Sequence, residues 1–411
     1  MPAYHGGIRC DAIECQELQV HQDMVLGGAG DGLRLGILQT RIARTVLRTK
    51  NKSTMSVPKI VSYFRRIKAI DNTYDRLRFV VYRRRVFKVF GIPRSKVLNQ
   101  KMAEAYRIYG WYPEEFFQYH YDNLTNEERH SIIGEKEHGL IAETMNDKES
   151  AKILSDKWKT YCLYNLYFKR GAILIEGDKK KSLDEEAKRL YDFLKEKDRL
   201  IIKPRFGSFG RGIQIITATE TTEKEIAQLL ADYHKGIVAE EVIEQDDRLA
   251  VLHPESVNTL RIHTICYNGE VAVFHPYLRI GRGGRCVDNA GSGGLFTSCN
   301  PVTGEILSVV DEYGHTFTEH PDNGVTLVGY KIPYWKEAFD MAKLLAQKMP
   351  GIHYVGWDLA LTESGWVLVE GNPCAQMVFQ ISEQKGFRKE LEGILQKFGV
   401  TIPKATSRGQ K

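Results

Sequence analysis

The stretch from Tyr354 to Pro373, YVGWDLALTESGWVLVEGNP, decides how this chain folds. Two apolar runs flank Thr362, Glu363, Ser364 and Gly365, a polar, glycine-containing cluster of the kind that closes a β-hairpin. With the turn centred near Ser364, Asp358 lies opposite Glu370, and cross-strand neighbours hold their Cβ atoms roughly 4.5–5.5 Å apart. Asn372 follows two residues on and shares the face of Glu370, because side chains alternate along a strand. Three oxygen-bearing side chains then converge. That is donor chemistry for a hard cation such as Mg²⁺, which takes one or two carboxylates and fills its octahedron with phosphate oxygens. The plain alternative is a solvated polar strand face.

Outward from the hairpin, apolar periodicity predicts a helix at Tyr334–Lys348 before it and another at Glu383–Phe398 after it. Upstream lie the strand patterns TLRIHTICY, EVAVFHPYL and GEILSVV, with a glycine-rich loop over 289–294. Earlier still, strands and helices alternate. A helix begins at SDKWK from Ser155, then come a strand at Ala172–Ile175, a helix at Leu183–Lys197 and the strand LIIK ending at Lys203. After the loop PRFGSFGRG follow the strand IQIIT, a helix at Glu223–Tyr233 and the strand IVAEEVI. Such alternation marks a mixed module of helices and sheets, and the more strand-rich second half makes the class α+β. We expect boundaries at 151–245 and 246–403 for two α+β subdomains, with 404–411 a tail.

Residues 56–150 have a different character. Between positions 56 and 101 the chain carries Lys59, Arg65, Arg66, Lys68, Arg76, Arg78, Arg83, Arg84, Arg85 and Lys88, opposed only by Asp71 and Asp75. Ile60, Phe64 and Ile67, then Leu77, Val80 and Val81, recur at helical spacing. A basic, mostly helical region follows, suited to an anionic membrane surface, a nucleic acid or a phosphorylated glycan carrier; the plain alternative is a solvated helix face. No paired Cys/His set or aromatic RNA platform is present, so nucleic acid is not expected. Farther along, the polar and acidic run from Asn123 to Glu128 marks a helix start, and Tyr109, Trp111, Tyr112, Phe116 and Phe117 read as core. Residues 1–55 show glycine clusters and no sustained apolar period, which predicts weak structure or a true start at Met55.

Composition bounds the rest. A chain of 411 residues can build two or three real cores, and 42% hydrophobic with 27% charged residues is ordinary for a globular protein. The net charge of +6 is mild and its excess local. Seven cysteines without C-x-x-C spacing favour reduced thiols, and no apolar run reaches the roughly 18 residues of a membrane span. Neither is there a secretory pattern, so the expected location is cytoplasmic.

The remaining chemistry centres on Lys203 and Gly207, Gly210 and Gly212. Glycines after a strand bring backbone N–H groups close to phosphate oxygens, and a lysine at the strand end adds charge. The order, lysine and then G-x-x-G-x-G, matches neither a Rossmann fingerprint, a kinase loop nor a P-loop. Together, Asp156-Lys157, the IIKP strand with its loop, VAEEVI, the arginine of NTLRI, NAGSGG and the Asp358, Glu370-x-Asn372 set resemble the ATP-grasp superfamily over roughly 155–398. The segments HPESVNTLRI, YPEEFF and DKWK resemble its sugar-transfer-associated branch, related to α-L-glutamate ligases.

That resemblance implies an ATP-grasp fold, two α+β subdomains clasping ATP, preceded by the helical region. It implies phosphate contacts from Lys157 and Lys203 and a lid over Gly207, Ser208, Gly210 and Gly212. It also implies an adenine hinge at Glu240, Glu241 and Ile243, with ribose at Asp247 or Glu244. Arg261 would stand beside the transferred phosphoryl group, Arg279 and Asn289, with Gly293 and Gly294, near the acid substrate, and Asp358, Glu370 and Asn372 on Mg²⁺, with Mn²⁺ as a substitute. Phosphoryl transfer asks for this kind of positioning and charge neutralisation. The implied activity is an ATP-dependent, ADP-forming carboxylate–amine ligase working through an acyl phosphate on small, sugar-linked acids and amines in polysaccharide biosynthesis. The rivals are a phosphotransferase on the same scaffold and a nucleotide-binding scaffold protein of a glycan assembly complex.

Overall fold

The computed structural model describes residues 73–176, 182–207, 210, 212–231, 233, 235–285, 288 and 293–401. The expectations for residues 1–55 and 404–411, and those for the basic segment before position 73, lie outside the described residues. Helices lead in: α1 (Thr73–Val89), α2 (Lys96–Tyr109), α3 (Pro113–Gln118), α4 (Asn126–Ser131), α5 (Glu135–Met145) and α6 (Lys148–Ser155). Their ends follow local chemistry. The Ser95 side chain caps α2, and Thr125 and Glu128 form a reciprocal capping box on α4, as the acids after Thr125 foretell. Trp111, Tyr112 and Phe116 are buried here.

The next segment holds α7 (Lys157–Phe168), β1 (Ala172–Ile175), α8 (Leu183–Lys197), β2 (Arg199–Pro204), β3 (Gln214–Thr217), α9 (Glu223–Ala231) and β4 (Ile237–Glu241). Its four strands form an antiparallel sheet in the order β1-β4-β2-β3. Ala187, Leu190 and Leu194 of α8, with Ile226 and Leu230 of α9, pack on Leu200, Ile202, Ile216 and Ile237 of that sheet. Fully burying one such aliphatic side chain contributes about 1.5–3 kcal/mol.

The second sheet follows. It comprises α10 (Asp247–Ala250), β5 (Thr259–Tyr267), β6 (Glu270–Ile280), β7 (Leu295–Cys299), β8 (Ile306–Val310), α11 (Trp335–Ala346), β9 (Tyr354–Thr362), β10 (Gly365–Asn372), α12 (Phe379–Glu383) and α13 (Arg388–Lys397). The strands run antiparallel in the order β10-β9-β5-β6-β7-β8. Alternation assigns the faces: Leu260, Ile262, Trp357 and Leu359 join α11's Ala338, Ala342 and Leu345 in the core. Thr259, Arg261, Gly356 and Asp358, one position out of phase, share the opposite face.

The helix expected at Glu383–Phe398 is two helices. Gln384 adopts a left-handed conformation (φ 48°) that ends α12, and the chain turns so that Gly386 passes Ser131 and Phe387 becomes buried. A side chain at Gly386 would meet Ser131 Oγ at 2.0 Å, so this break is a close approach of the helical region.

That region also grips the hairpin. Asn146 accepts the backbone N–H groups of His353 and Tyr354 (2.9 and 2.8 Å) and donates to the carbonyls of Tyr354 and Pro373 (2.8 and 2.6 Å). One amide therefore pins the start of β9 to the end of β10. Arg388 pairs with Glu137, and Gln380 exchanges hydrogen bonds with the Ile133 backbone at 3.0 Å each way.

Candidate active site

Thr362 pairs with Gly365, so the hairpin turn is centred between Glu363 and Ser364, half a residue earlier than the sequence suggests. Carried on regularly, that register would set Val369 opposite Asp358. A β-bulge between Leu368 and Glu370 adds one residue to β10, and Glu370 comes to face Asp358 after all. Asn372 completes the group, its Nδ2 donating to Glu370 Oε1 at 3.1 Å and to Asp358 Oδ2 at 3.5 Å.

Sheet order then brings in the arginines. Because β5 lies between β9 and β6, Glu370, Asp358, Arg261 and Tyr277 form one row across four strands. Arg261 grips Asp358 with both Nε and Nη2, the latter at 2.7 Å, and Arg279 Nη1 donates to Asp358 Oδ2 at 2.7 Å. Arg279 also reaches Asp288 at 2.7 Å, which in turn accepts the Thr259 N–H at 2.9 Å. Burial alone would raise Asp358, but the two guanidiniums hold its carboxyl well below the usual carboxylate range. Gly356 makes room for this packing: a Cβ there would lie 2.3 Å from Ala375 Cβ and 2.9 Å from Arg261 Cδ.

Two carboxylates and an amide, once the amide turns its oxygen inward, fit a hard divalent cation. Among the described residues no group of three His, Cys, Asp or Glu side chains is placed to hold a metal.

The four-stranded sheet builds a different cluster. Lys203 Nζ donates to Glu240 Oε2 at 2.9 Å, and Arg170 donates to the same oxygen through Nε (2.8 Å) and Nη2 (2.5 Å). Burial, with Arg170 alongside, pulls the Lys203 ammonium below its ordinary range, while Glu240 and Glu370 pull it upward. Burial also opposes ionisation of Glu240, yet Arg170 and Lys203 outweigh it and hold the carboxyl at about 2. Arg170 Nη1 also donates to the Leu368 carbonyl of β10 at 2.7 Å, which links this cluster to the hairpin.

Asp156 caps α7 by accepting the Trp158 and Lys159 N–H groups (3.1 and 3.3 Å) and takes the Arg205 guanidinium on both oxygens. This ties the helix start to the end of β2, where Lys157 Nζ donates to the Gly207 carbonyl at 2.7 Å. Gly207, Gly210 and Gly212 have φ of 139°, 68° and 67°, values that glycine adopts without strain. Ser208 and Asn289 lie outside the described residues. At the hinge, Glu241 is occupied by Gly171 N–H and Lys197 (3.0 Å), Ile243 is half-buried, and Asp247 opens α10 in an exposed position.

The sequence model of sugar-transfer associated ATP-grasp proteins matches residues 138–396, well over half of the chain. The chain belongs to this ATP-grasp family. Its fold is the ATP-grasp fold, and members of the family are ATP-dependent ligases. No curated protein matches the sequence.

Solved structures similar to this ATP-grasp chain include D-alanyl-alanine synthetase A from Vibrio cholerae, with 13% identity, a TM-score of 0.38, and 64% of this chain and 73% of that one covered. The ATP-grasp ligase PsnB bound to its minimal precursor shows 13% identity and a TM-score of 0.35 over 57% of this chain and 56% of its own. N5-carboxyaminoimidazole synthase from Aspergillus clavatus shows 12% identity and a TM-score of 0.33 over 56% and 46%. The chain thus spans about half the length of the last two.

Two site residues of this ATP-grasp chain escape sequence reading. Arg170, in FKRGAILI, looks like a solvated residue between a helix and a strand, yet it is buried against Glu240. Asp288 precedes a glycine-rich loop that draws attention to itself, and only the fold places it on Arg279. His263 is fully buried among Phe274, Tyr277, Tyr354 and Phe379, a structural setting for the imidazole.

Proposed function

We propose that this chain is an ADP-forming carboxylate–amine ligase acting on sugar-linked small molecules in polysaccharide biosynthesis. The observation that carries the reading is that Arg170 joins the two clusters, bonding Glu240, the partner of Lys203, and the Leu368 carbonyl at the bulge before Glu370. Lys157, Lys203 and the Gly207–Gly212 loop hold the triphosphate, while Asp358, Glu370 and Asn372 hold Mg²⁺ or Mn²⁺. Bound there, the cation neutralises charge on the phosphate oxygens. Glu240, which the resemblance places at adenine, instead serves in this reading as the counter-ion of Lys203, and adenine is left to the backbone of Glu241–Ile243.

Arg261 and Arg279 then do the protein's part of the chemistry. A substrate carboxylate oxygen bonds to the γ-phosphorus as the bond from that phosphorus to the β,γ-bridging oxygen breaks, and ADP leaves with the electron pair. Fixed guanidiniums at the transferring group stabilise charge that develops there. The amine nitrogen next attacks the acyl carbon; the bond to the phosphate oxygen breaks, phosphate departs, and the ammonium proton passes to solvent. Keeping water out between these steps preserves the acyl phosphate.

A second surface supports contact with an anionic membrane. Arg78 turns inward to Glu135 and the exposed Arg85 pairs with Glu114 and Glu312, whereas Arg84, Lys88, Arg94 and Lys96 are exposed. Among the described residues no helix is long and apolar enough to cross a bilayer, so contact of this kind would be peripheral.

The test is an ADP-release screen over amino acids and uronic acids, with hydroxylamine present to trap the activated acid. A hydroxamate formed in equal amount with ADP, both lost in Arg261→Ala, is the expected result. A stable phosphorylated alcohol with no hydroxamate would replace the ligase with a phosphotransferase.

A further inference from the structure

Arg170 stands on the short link between α7 and β1, its side chain only 7% exposed. Its guanidinium reaches three places. Nε and Nη2 donate to Glu240 Oε2, while Nη1 donates to the carbonyls of Leu368 (2.7 Å) and Phe168 (3.2 Å); the Phe168 ring lies 4.7 Å beneath.

Two of these partners carry information about the site. Glu240 belongs to the four-stranded sheet and shares its oxygen with Lys203. Leu368 belongs to the six-stranded sheet and is the last residue in register before the bulge that sets Glu370 opposite Asp358. Arg170 is thus a strut from the lysine's counter-ion in one sheet to the register-setting bulge in the other. A guanidinium is planar and its donors diverge at fixed angles, so it fixes the separation of the acceptors it joins; a lysine ammonium, a point charge on a flexible stem, does not fix that separation.

We propose that Arg170 is the positioning residue that couples the nucleotide-binding sheet to the cation-binding hairpin, by holding the Leu368 carbonyl and Glu240 at a set distance. The inference rests on the reading of the site given above. Arg170 itself touches neither nucleotide nor cation; it acts through Glu240 and the bulge. Its consequence is a linkage. With the strut in place, a nucleotide drawn to Lys203 and a cation drawn to Glu370 favour each other, and coupling between two ligands is reciprocal and typically about 5–150-fold. Without the strut each sheet still holds its own ligand, and the part of the mutual enhancement that depends on their spacing is lost.

The experiment is titration calorimetry of the full chain with AMPPNP, with and without Mg²⁺, on wild type, Arg170→Lys and Arg170→Ala, with thermal unfolding as a check on the fold. In wild type, Mg²⁺ should tighten AMPPNP by about tenfold or more. Arg170→Lys should keep the metal-free affinity within about threefold, because Lys203 retains Glu240, while the Mg²⁺ enhancement falls by about fivefold or more. Should Arg170→Ala not fold, Arg170→Lys decides. An undiminished enhancement in Arg170→Lys overturns the strut and leaves the site reading standing, as does a loss of metal-free affinity with the enhancement unchanged. A wild type that binds no AMPPNP overturns the site reading and the strut with it.

Discussion

The two sheets handle buried charge in opposite ways. At the four-stranded sheet one acid, Glu240, lies between two bases, Lys203 and Arg170; at the six-stranded sheet Asp358 and Asp288 pair with Arg261 and Arg279, and Glu370 stands opposite Asp358. The first cluster keeps a positive surplus that suits phosphate, the second a negative surplus that suits a cation. Burying an ion costs several kcal/mol unless a partner and good geometry offset it, so such opposed surpluses are held only where something else repays them. A ligand bearing both charges, a metal-bound nucleotide, would complete both clusters together.

The sharpest way to break this comparison is at the two acids of the hairpin. Asp358→Asn should lower ADP release by at least about 100-fold and also cost about 3–5 kcal/mol of stability, since it strips Arg261 of its ion-pair partner. Glu370→Gln should lose as much activity with little change in melting temperature, because among the described residues its carboxylate accepts from the Asn372 amide and no arginine grips it. Equal stability losses in the two variants would show that the acids do not divide structural and ligand-binding work.

Next in size is Glu240→Gln, which leaves Lys203 and Arg170 facing a neutral amide. Chemical denaturation should show a loss of about 3 kcal/mol, while AMPPNP affinity changes less than about tenfold because Lys203 remains. If affinity collapsed with stability intact, Glu240 would be a direct ligand at the hinge, as family resemblance has it.

Titration with pH contrasts the sheets with the helical region. Glu240 is held at about 2, below its ordinary value, so its contribution is full above about 4.5 and is lost as pH falls toward 2. Glu114 and Glu115 behave in reverse. Burial lifts them to about 7 and about 8, so the folded helices hold protons there that the unfolded chain releases. Their contribution is full below about 4.5 and lost as pH rises through 7 and 8. Between pH 5 and 8 the melting temperature of Glu114→Gln should therefore shift upward relative to wild type as pH rises; parallel curves would remove Glu114 from the pH dependence.

The smallest effect belongs to the outer face of the helical region. Reversing Arg84 and Lys88 to glutamate should change stability by no more than about 0.5 kcal/mol. The same variant should weaken cosedimentation with anionic vesicles, and salt should weaken it in wild type, since exposed charges are screened beyond about 8 Å at physiological ionic strength. Equal binding to neutral vesicles would leave these residues a solvated face.

Much of this protein is written in short-range pattern. Apolar alternation places β5 at TLRIHTICY, helical spacing places α8 at Leu183–Lys197, and the glycines after Lys203 mark a loop, because each of these depends on neighbours within a few residues. Even the facing of Asp358 and Glu370 is legible, though for an incomplete reason: the turn sits half a residue earlier than its composition suggests, and the bulge at Val369 restores the pair. A bulge leaves no signature in a run such as WVLVEG. What the tertiary structure alone decided is which charges meet. Arg261 lies on Asp358 because β5 is inserted beside β9, Arg279 is shared with Asp288 because β6 comes next, and Arg170 spans two sheets from a loop that belongs to neither. Strand order, register across strands and the approach of the two sheets are long-range outcomes of burying two cores, and ion pairs built on them follow the packing rather than the order of residues along the chain.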